Sequence, residues 1–137
     1  MTEYAQEYLD TIVEITLADG QAIALSDGEH APAQMPLPFY VLTAWNPASR
    51  ERAGWVNAVD QSLLEGVLHG RGCETLPALG RDPRGTWEEP GVAAWGLTQE
   101  EAIKLGCDFG QNAIFAVTDE GRQLLWCTQP AEGTVER

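Results

Sequence analysis

Hydrophobic and polar residues alternate with a period of two near the start of the chain. Residues 11–17 read TIVEITL, with a hydrophobic side chain at every second position, which predicts a half-buried strand. Asp19-Gly20 favours a tight turn because glycine adopts a positive φ without strain, and QAIAL at 21–25 supplies a second strand. The pattern therefore predicts an acidic N-terminal hairpin over residues 11–25, preceded by a short helix over 3–9.

A near-continuous hydrophobic run, PFYVLTAW, occupies residues 38–45 and is typical of a central strand buried on both faces. Asn46-Pro47 follows and predicts the start of a helix over about 47–69, because asparagine is a preferred N-cap and proline is favoured at the first helical position. At about 100° per residue, one side of this helix is expected to face the core. That side contains Val56, Val59, Leu63 and Val67, is extended by Ala53 and Leu64, encloses Asp60 and has Asn57 at its border.

The second half of the chain predicts strands over 73–80, 91–97, 111–118 and 122–128, and a helix over about 99–108. Thr98 and Glu101 form the pattern of a capping box at the start of that helix. Residues 129–137 are expected to be a frayed tail. The order of elements, within a single domain over 1–137, favours an α+β two-layer sandwich, in which one long and one short helix pack on one face of a mixed or mainly antiparallel sheet.

Composition restricts the classes of function. The 137 residues carry a formal net charge of -13, so a broad basic surface for nucleic acid is not expected. No hydrophobic run reaches the roughly 18 residues of a membrane span, and the acidic N-terminus lacks the features of a secretory signal. We therefore expect a cytoplasmic protein without a nucleic-acid or membrane partner. The cysteines and histidines lack metal-binding spacing, so neither a metal nor a cofactor is expected.

Positive charge is unevenly distributed along the chain. Residues 1–49 contain no lysine or arginine, and the first basic residues, Arg50 and Arg52, follow the predicted helix start. The unpaired N–H groups at a helix N-terminus favour anions. We therefore predict a site for a small anionic or nucleotide-like ligand at the strand-to-helix junction, lined by Asn46, Ser49, Arg50, Asn57, Asp60, Glu89 and Gln111.

Structural roles are open for several of the same residues. Asn46 would then cap the helix while the nearby arginines extend into water. Asn57 and Asp60 would belong to an internal hydrogen-bond or ion-pair network, with Arg71 or Arg81 as the partner, because an unpaired buried carboxylate is very costly.

A second class of function is a protein–protein interaction module. In this alternative, residues 1–35 of the acidic chain bind a basic partner, and the protein acts as an adaptor or inhibitor without catalysis. No pairing of a nucleophile and a base with known spacing occurs in the sequence, which leaves open whether the protein is an enzyme.

Several motifs occur in a fixed order along the chain. They are FYVLTAWNPAS from residue 39, an asparagine in the following helix, LPALGRDP, WEEPG and EEAIKLGCDFGQNAIF. Together, over residues 38–127, they resemble the bacterial domain of unknown function 3293 family. The marks of that family match Asn46-Pro47, Asn57, Glu89-Pro90 and 109–113. The resemblance implies an uncharacterised protein and supplies no activity, substrate or catalytic residue.

Overall fold

The computed structural model describes residues 5–127. Within them the chain forms seven β-strands, three α-helices and one 3-10 turn. In chain order these are α1 (Ala5–Asp10), β1 (Ile12–Thr16), β2 (Ala22–Leu25), β3 (Phe39–Leu42), the 3-10 turn (Pro47–Ser49), α2 (Gly54–Gly70), β4 (Glu74–Arg81), β5 (Glu88–Trp95), α3 (Gln99–Asp108), β6 (Ala113–Thr118) and β7 (Gly121–Trp126). The predicted tail over 129–137 lies outside the described residues.

All seven strands belong to one sheet, in the order β2-β1-β4-β5-β3-β6-β7, and every neighbouring pair is antiparallel. The sheet is curled into a half-barrel, and the described part of the chain is mainly β. The predicted α+β two-layer sandwich with one long and one short helix on one face is therefore wrong. The sheet encloses a second interior on the side away from α2 and α3.

Both faces of the sheet are hydrophobic, which explains why the two-layer prediction fails. The helix face, covered by α2 and α3, buries Tyr40, Leu42, Val92, Ala94, Ile114 and Ala116. The opposite face, called the inner face below, buries Val13, Ile15, Phe39, Val41, Ala93 and Val117. A sheet with two hydrophobic faces needs cover on both. Here the helices cover one face, and the curl of the sheet encloses much of the other.

Backbone hydrogen bonds join the two edges of the curled sheet at Arg122, in β7. Its N–H donates to the carbonyl of Glu29 (2.7 Å), and its own carbonyl accepts from the N–H of Gly28 (2.9 Å). Gly28 and Glu29 follow β2, and β2 and β7 are the opposite edges of the sheet. Edge groups that would otherwise be unpaired therefore bind each other, and the half-barrel is held closed along this seam.

The side chain of Arg122 is buried inside the same seam, with 0% of its surface exposed. Its guanidinium donates to the carbonyl oxygens of Thr11, Leu25 (3.3 Å) and Leu9 (3.2 Å). The guanidinium carbon also lies 4.4 Å from the centre of the Phe115 ring, on the inner face. One cation thus ties α1, the start of β1 and the end of β2 to the interior of the half-barrel.

Two local predictions are confirmed. β3 is a central strand, between β5 and β6, and all four of its residues are buried. Thr98 and Glu101 form the capping box of α3, with the Thr98 side chain accepting from the Glu101 N–H and the Glu101 side chain accepting from the Thr98 N–H. Both predictions were made from residues close in sequence.

The predictions for α2 are wrong in two respects. The helix begins at Gly54 rather than near residue 47, and its N-cap residue, Ala53, makes no side-chain cap bond. The prediction of which side of α2 faces the core is also wrong. The buried positions are Asn57, Gln61, Leu64 and Leu68, whereas Val59, Leu63 and Val67 are exposed.

Hydrogen bonding to the backbone after β3 explains this rotation of α2. The Oε1 atom of Gln61 accepts from the N–H of Ala44 (2.9 Å), and Oδ1 of Asn57 accepts from the N–H of Asn46 (2.9 Å). The chain has left the sheet there, so these N–H groups have no strand partner. Since a buried unpaired N–H is costly, two polar side chains of α2 face inwards and hydrophobic ones face out.

We expect Arg122→Met to destabilise the protein by about 2–4 kcal/mol, because methionine retains the hydrophobic stem but leaves buried carbonyl oxygens without donors. Chemical denaturation checks this. The matched control is Arg84→Met, at a side chain that is 86% exposed, and it should change the free energy of unfolding by no more than about 0.5 kcal/mol. Equal stability of the two variants would show that the seam does not depend on this cation.

Candidate functional site

Residues 43–53 connect β3 to α2 and contain a 3-10 turn where a long helix was predicted to begin. Asn46 precedes the turn with φ 45° and ψ 67°, a left-handed conformation, and makes no side-chain cap bond. Ser49, at the end of the turn, has φ 62°. Among the described residues these two are the non-glycine residues with positive φ. Such conformations cost about 1 kcal/mol or more and persist only where surrounding contacts fix them.

Contacts between Asn46, Asn57 and Arg52 fix the junction. Asn57 Nδ2 donates to Asn46 Oδ1 (2.8 Å), and the Asn46 N–H donates to Asn57 Oδ1 (2.9 Å). The Arg52 N–H donates to Asn46 Oδ1 (3.3 Å), and Arg52 Nε donates to Asn57 Oδ1 (2.5 Å). Asn57 is only 1% exposed. Its amide therefore serves as a buried template that holds Asn46 in its left-handed conformation.

Asp60 and Arg50 do not line the cavity described below. Asp60 instead forms an ion pair with Arg52, with 2.9 Å between Oδ2 and Nη2. The same Nη2 donates to the carbonyl of Ala44 (2.9 Å), and Arg50 is exposed. The other arginines considered for Asp60 have their own partners, Arg71 with Glu101 (3.5 Å) and Arg81 with Glu14 (2.8 Å).

A cavity of about 630 Å³ opens on the inner face of the sheet, beside this network. Five strands contribute to it, through residues that include Val13, Val41, Gly80, Gly91 and Phe115. A side chain at 80 would meet only ordinary contacts, the nearest being Thr11 Cγ2 at 3.6 Å from an added Cβ. The absence of that side chain leaves part of this volume open.

Five of the seven predicted site residues line this cavity. They are Asn46, Ser49, Asn57, Glu89 and Gln111. The structure thus brings residues from the junction, α2, β5 and the loop before β6 to one place. Three aromatic residues, Tyr8, Trp45 and Trp87, also line the cavity.

Glu89 is the carboxylate that the network holds against the cavity. Asn46 Nδ2 donates to Glu89 Oε2 (3.2 Å), and alternation along β5 places Glu89 on the same face as Ala93, the inner face. Burial raises the pKa of Glu89, and the hydrogen bond from Asn46 offsets only part of that shift. A carboxylate in this position is incompletely solvated, so it favours a ligand that can donate hydrogen bonds or carries positive charge.

Ser49 and Gln111 are held at the rim by contacts distant in sequence. The Ser49 hydroxyl lies 2.8 Å from the Tyr8 hydroxyl, which also accepts from Asn112 Nδ2 (3.2 Å). Gln111 Nε2 donates to the carbonyl of Trp45 (3.2 Å). Tyr8 belongs to α1, so the N-terminal helix forms part of the rim.

Several lining residues were not in the predicted set. Tyr8 and Glu7 come from α1, which reaches the cavity only because the sheet curls. Trp45 directly precedes Asn46, and Arg52 lies two residues after Arg50, so proximity to predicted residues was a usable local signal. No pattern in the sequence marks α1 as part of a site.

The charge around the cavity is mainly negative. Glu7, Glu51, Glu88 and Glu89 contribute to its lining, although alternation along β5 places the side chain of Glu88 on the opposite face from that of Glu89. Among the described lining residues the positive charge is that of Arg52, whose guanidinium is already bound to Asp60 and Asn57. An incoming anion therefore meets more repulsion than attraction.

Comparison with known proteins identifies a family. Residues 42–114, more than half of the 137-residue chain, match the family described as "Protein of unknown function (DUF3293)", and the protein belongs to that family. No curated protein and no solved structure gives a significant match. The matched range includes the junction, α2 and β5, and therefore most of the cavity lining.

Over residues 5–127, no helix is both long and hydrophobic enough to cross a bilayer.

We expect Asn57→Ala to lower the free energy of unfolding by about 2–3 kcal/mol, because it leaves the Asn46 N–H and Arg52 Nε without their shared acceptor. Denaturant unfolding measures the change. Ser62→Ala, on the exposed side of the same helix, is the matched control and should be neutral within about 0.5 kcal/mol. A neutral result for Asn57→Ala would contradict its role as a template.

Glu89→Gln should raise the Tm at neutral pH, because it removes a carboxylate whose charged form is penalised by burial. The sign follows from linkage. A carboxyl whose pKa is raised on folding binds protons more tightly in the folded state, so its deprotonation lowers the free energy of unfolding. This loss grows as pH rises from the unfolded-state pKa to the folded-state pKa. The advantage of the glutamine variant should therefore shrink as pH falls towards about 4. Thermal unfolding across pH, with exposed Glu100→Gln as control, provides the measurement.

Proposed function

We propose that this protein binds a small organic ligand in the inner-face cavity, and that the ligand is uncharged or cationic, planar and equipped with hydrogen-bond donors. The observation that carries this proposal is the combination of an open volume of about 630 Å³ with a partly buried glutamate, Glu89, directed to it. Small-molecule sites usually have about 300–1,000 Å³, a mostly hydrophobic lining and a few polar groups that orient the ligand.

The charge of the lining supports this ligand class over the predicted anionic one. A phosphate at the junction would lie among glutamates, and the nearest guanidinium, that of Arg52, already neutralises Asp60. The α2 N-terminus begins at Gly54, after the junction, so Asn46-Pro47 does not present helical N–H groups to a guest. The anionic or nucleotide-like ligand predicted from sequence stays a prediction, and the charges argue against it.

The aromatic lining supports a planar ligand. Tyr8, Trp45 and Trp87 all contribute to the cavity, and aromatic faces attract both flat rings and cations. The strained conformations of Asn46 and Ser49 add support, since backbone strain maintained by a dedicated network often marks a binding site. In this proposal Glu89 accepts hydrogen bonds from the ligand and Asn46 orients Glu89.

Matched compound pairs test the ligand class. One series compares nucleosides with their monophosphates, and a second compares aromatic amines with aromatic carboxylates, by thermal shift followed by calorimetric titration. We expect the uncharged or cationic members to raise the Tm and to bind at least about tenfold more tightly than their anionic partners, a difference of roughly 1.4 kcal/mol. Binding should weaken as pH falls and Glu89 becomes protonated.

Two variants locate the site. Gly80→Val fills part of the cavity and should abolish binding, whereas Ala24→Val, at an exposed position of β2, should not. Glu89→Gln should weaken binding at least about tenfold without loss of Tm. A flat response across both series, or tighter binding of the anionic members, would overturn the proposal.

A further inference from the structure

A hydrophobic stripe runs along the solvent side of α2. It consists of Trp55, Val59, Leu63 and Val67, which are 74%, 52%, 57% and 39% exposed. These are four of the six large hydrophobic side chains that are exposed in the described part of the chain, and they recur at every fourth residue of one helix. Residues with this spacing share one side of a helix, so the α2 stripe is continuous over about 18 Å.

Small residues flank the α2 stripe. Ala58, Ser62 and Gly66 are exposed and form the neighbouring row of the helix, and a Cβ atom added at Gly66 would meet nothing within 4 Å. A ridge of large side chains beside a groove of small ones is the surface that another helix packs against. None of these seven residues carries a charge, although the whole chain has a net charge of -13.

We propose that the α2 stripe is the contact surface for a second copy of this chain, with the two α2 helices packed antiparallel about a twofold axis between Val59 and Leu63. In this arrangement Val59 lies opposite Leu63 of the second copy, and Trp55 lies opposite Val67. The ridge of each helix enters the groove of small residues on the other, as an isologous contact requires.

The area of the surface is sufficient for a weak specific dimer. The stripe and its flanking residues offer roughly 400–600 Å² per copy, the size of the largest hydrophobic patches on monomeric proteins, which are often functional. Two copies would bury about 800–1,200 Å² in total, at the lower limit of specific interfaces. A membrane is a poorer occupant because interfacial helices carry lysine and arginine on their polar face, and a basic protein would find no carboxylate within the stripe.

Sedimentation equilibrium of the full chain tests the proposal. We expect the wild type to dimerise at about 100 μM, as suits a contact of this size, and Leu63→Glu to weaken dimerisation at least tenfold. The matched control is Leu37→Glu, since Leu37 is 43% exposed and lies outside α2; this variant should dimerise like the wild type. Far-UV circular dichroism verifies that Leu63→Glu, at an exposed position, remains folded.

Salt provides a further readout. Dimerisation of the wild type should tighten with added salt, because salt screens the repulsion between two chains of charge -13. Three results would each overturn the proposal: a wild type that is monomeric at all concentrations, equal weakening by Leu37→Glu and Leu63→Glu, or loosening of the dimer in salt.

Discussion

The two edges of the curled sheet meet around a buried cation, the guanidinium of Arg122. Burial lowers its pKa, yet the group stays protonated because an arginine pKa lies far above neutrality. A charge in this position must be solvated by the protein itself, and the carbonyl oxygens of Leu9, Thr11 and Leu25 provide that solvation together with the face of Phe115. Phe115 belongs to the neighbouring strand β6, whereas the three carbonyl groups belong to α1, the start of β1 and the end of β2, at the opposite end of the sheet. Binding these carbonyl groups therefore brings the two edges together.

Closure of the sheet determines which part of the inner face is filled by side chains and which part stays open. The end of the half-barrel near β2 is filled by hydrophobic side chains such as Ile15, Met35 and Phe39. At the other end, glycine and alanine positions leave the open volume beside Glu89. Because α1 is tied to Arg122 through the carbonyl of Leu9, Tyr8 also reaches the rim of that volume. The Arg122 guanidinium therefore helps to shape the candidate site, because it fixes the helix that carries Tyr8.

The rotation of α2 links the candidate site to the outer surface. Asn57 and Gln61 face inwards because the N–H groups of Asn46 and Ala44 need acceptors where the chain leaves β3. The same rotation directs Leu63 and its neighbours in the stripe to solvent. The helix therefore holds the strained junction with polar residues on one side and exposes hydrophobic residues on the other.

The sequence by itself determined the features that depend on near neighbours. The strand predicted over 38–45, observed as Phe39–Leu42, and the capping box at Thr98 follow from short-range patterns. Five of the seven residues predicted for a site line the cavity, but Glu89 and Gln111 reach Asn46 only through the fold. Only the tertiary structure decided the curl of the sheet, the face of α2 and the partner of Asp60. For the first two, a buried polar group found its partner outside its own element, Arg122 at the opposite edge of the sheet and Asn57 in the chain after β3. Asp60 pairs with Arg52, which precedes the observed start of α2. Hydrophobic periodicity measures how apolar each side of an element is, and it contains no information about which distant backbone groups will need hydrogen bonds.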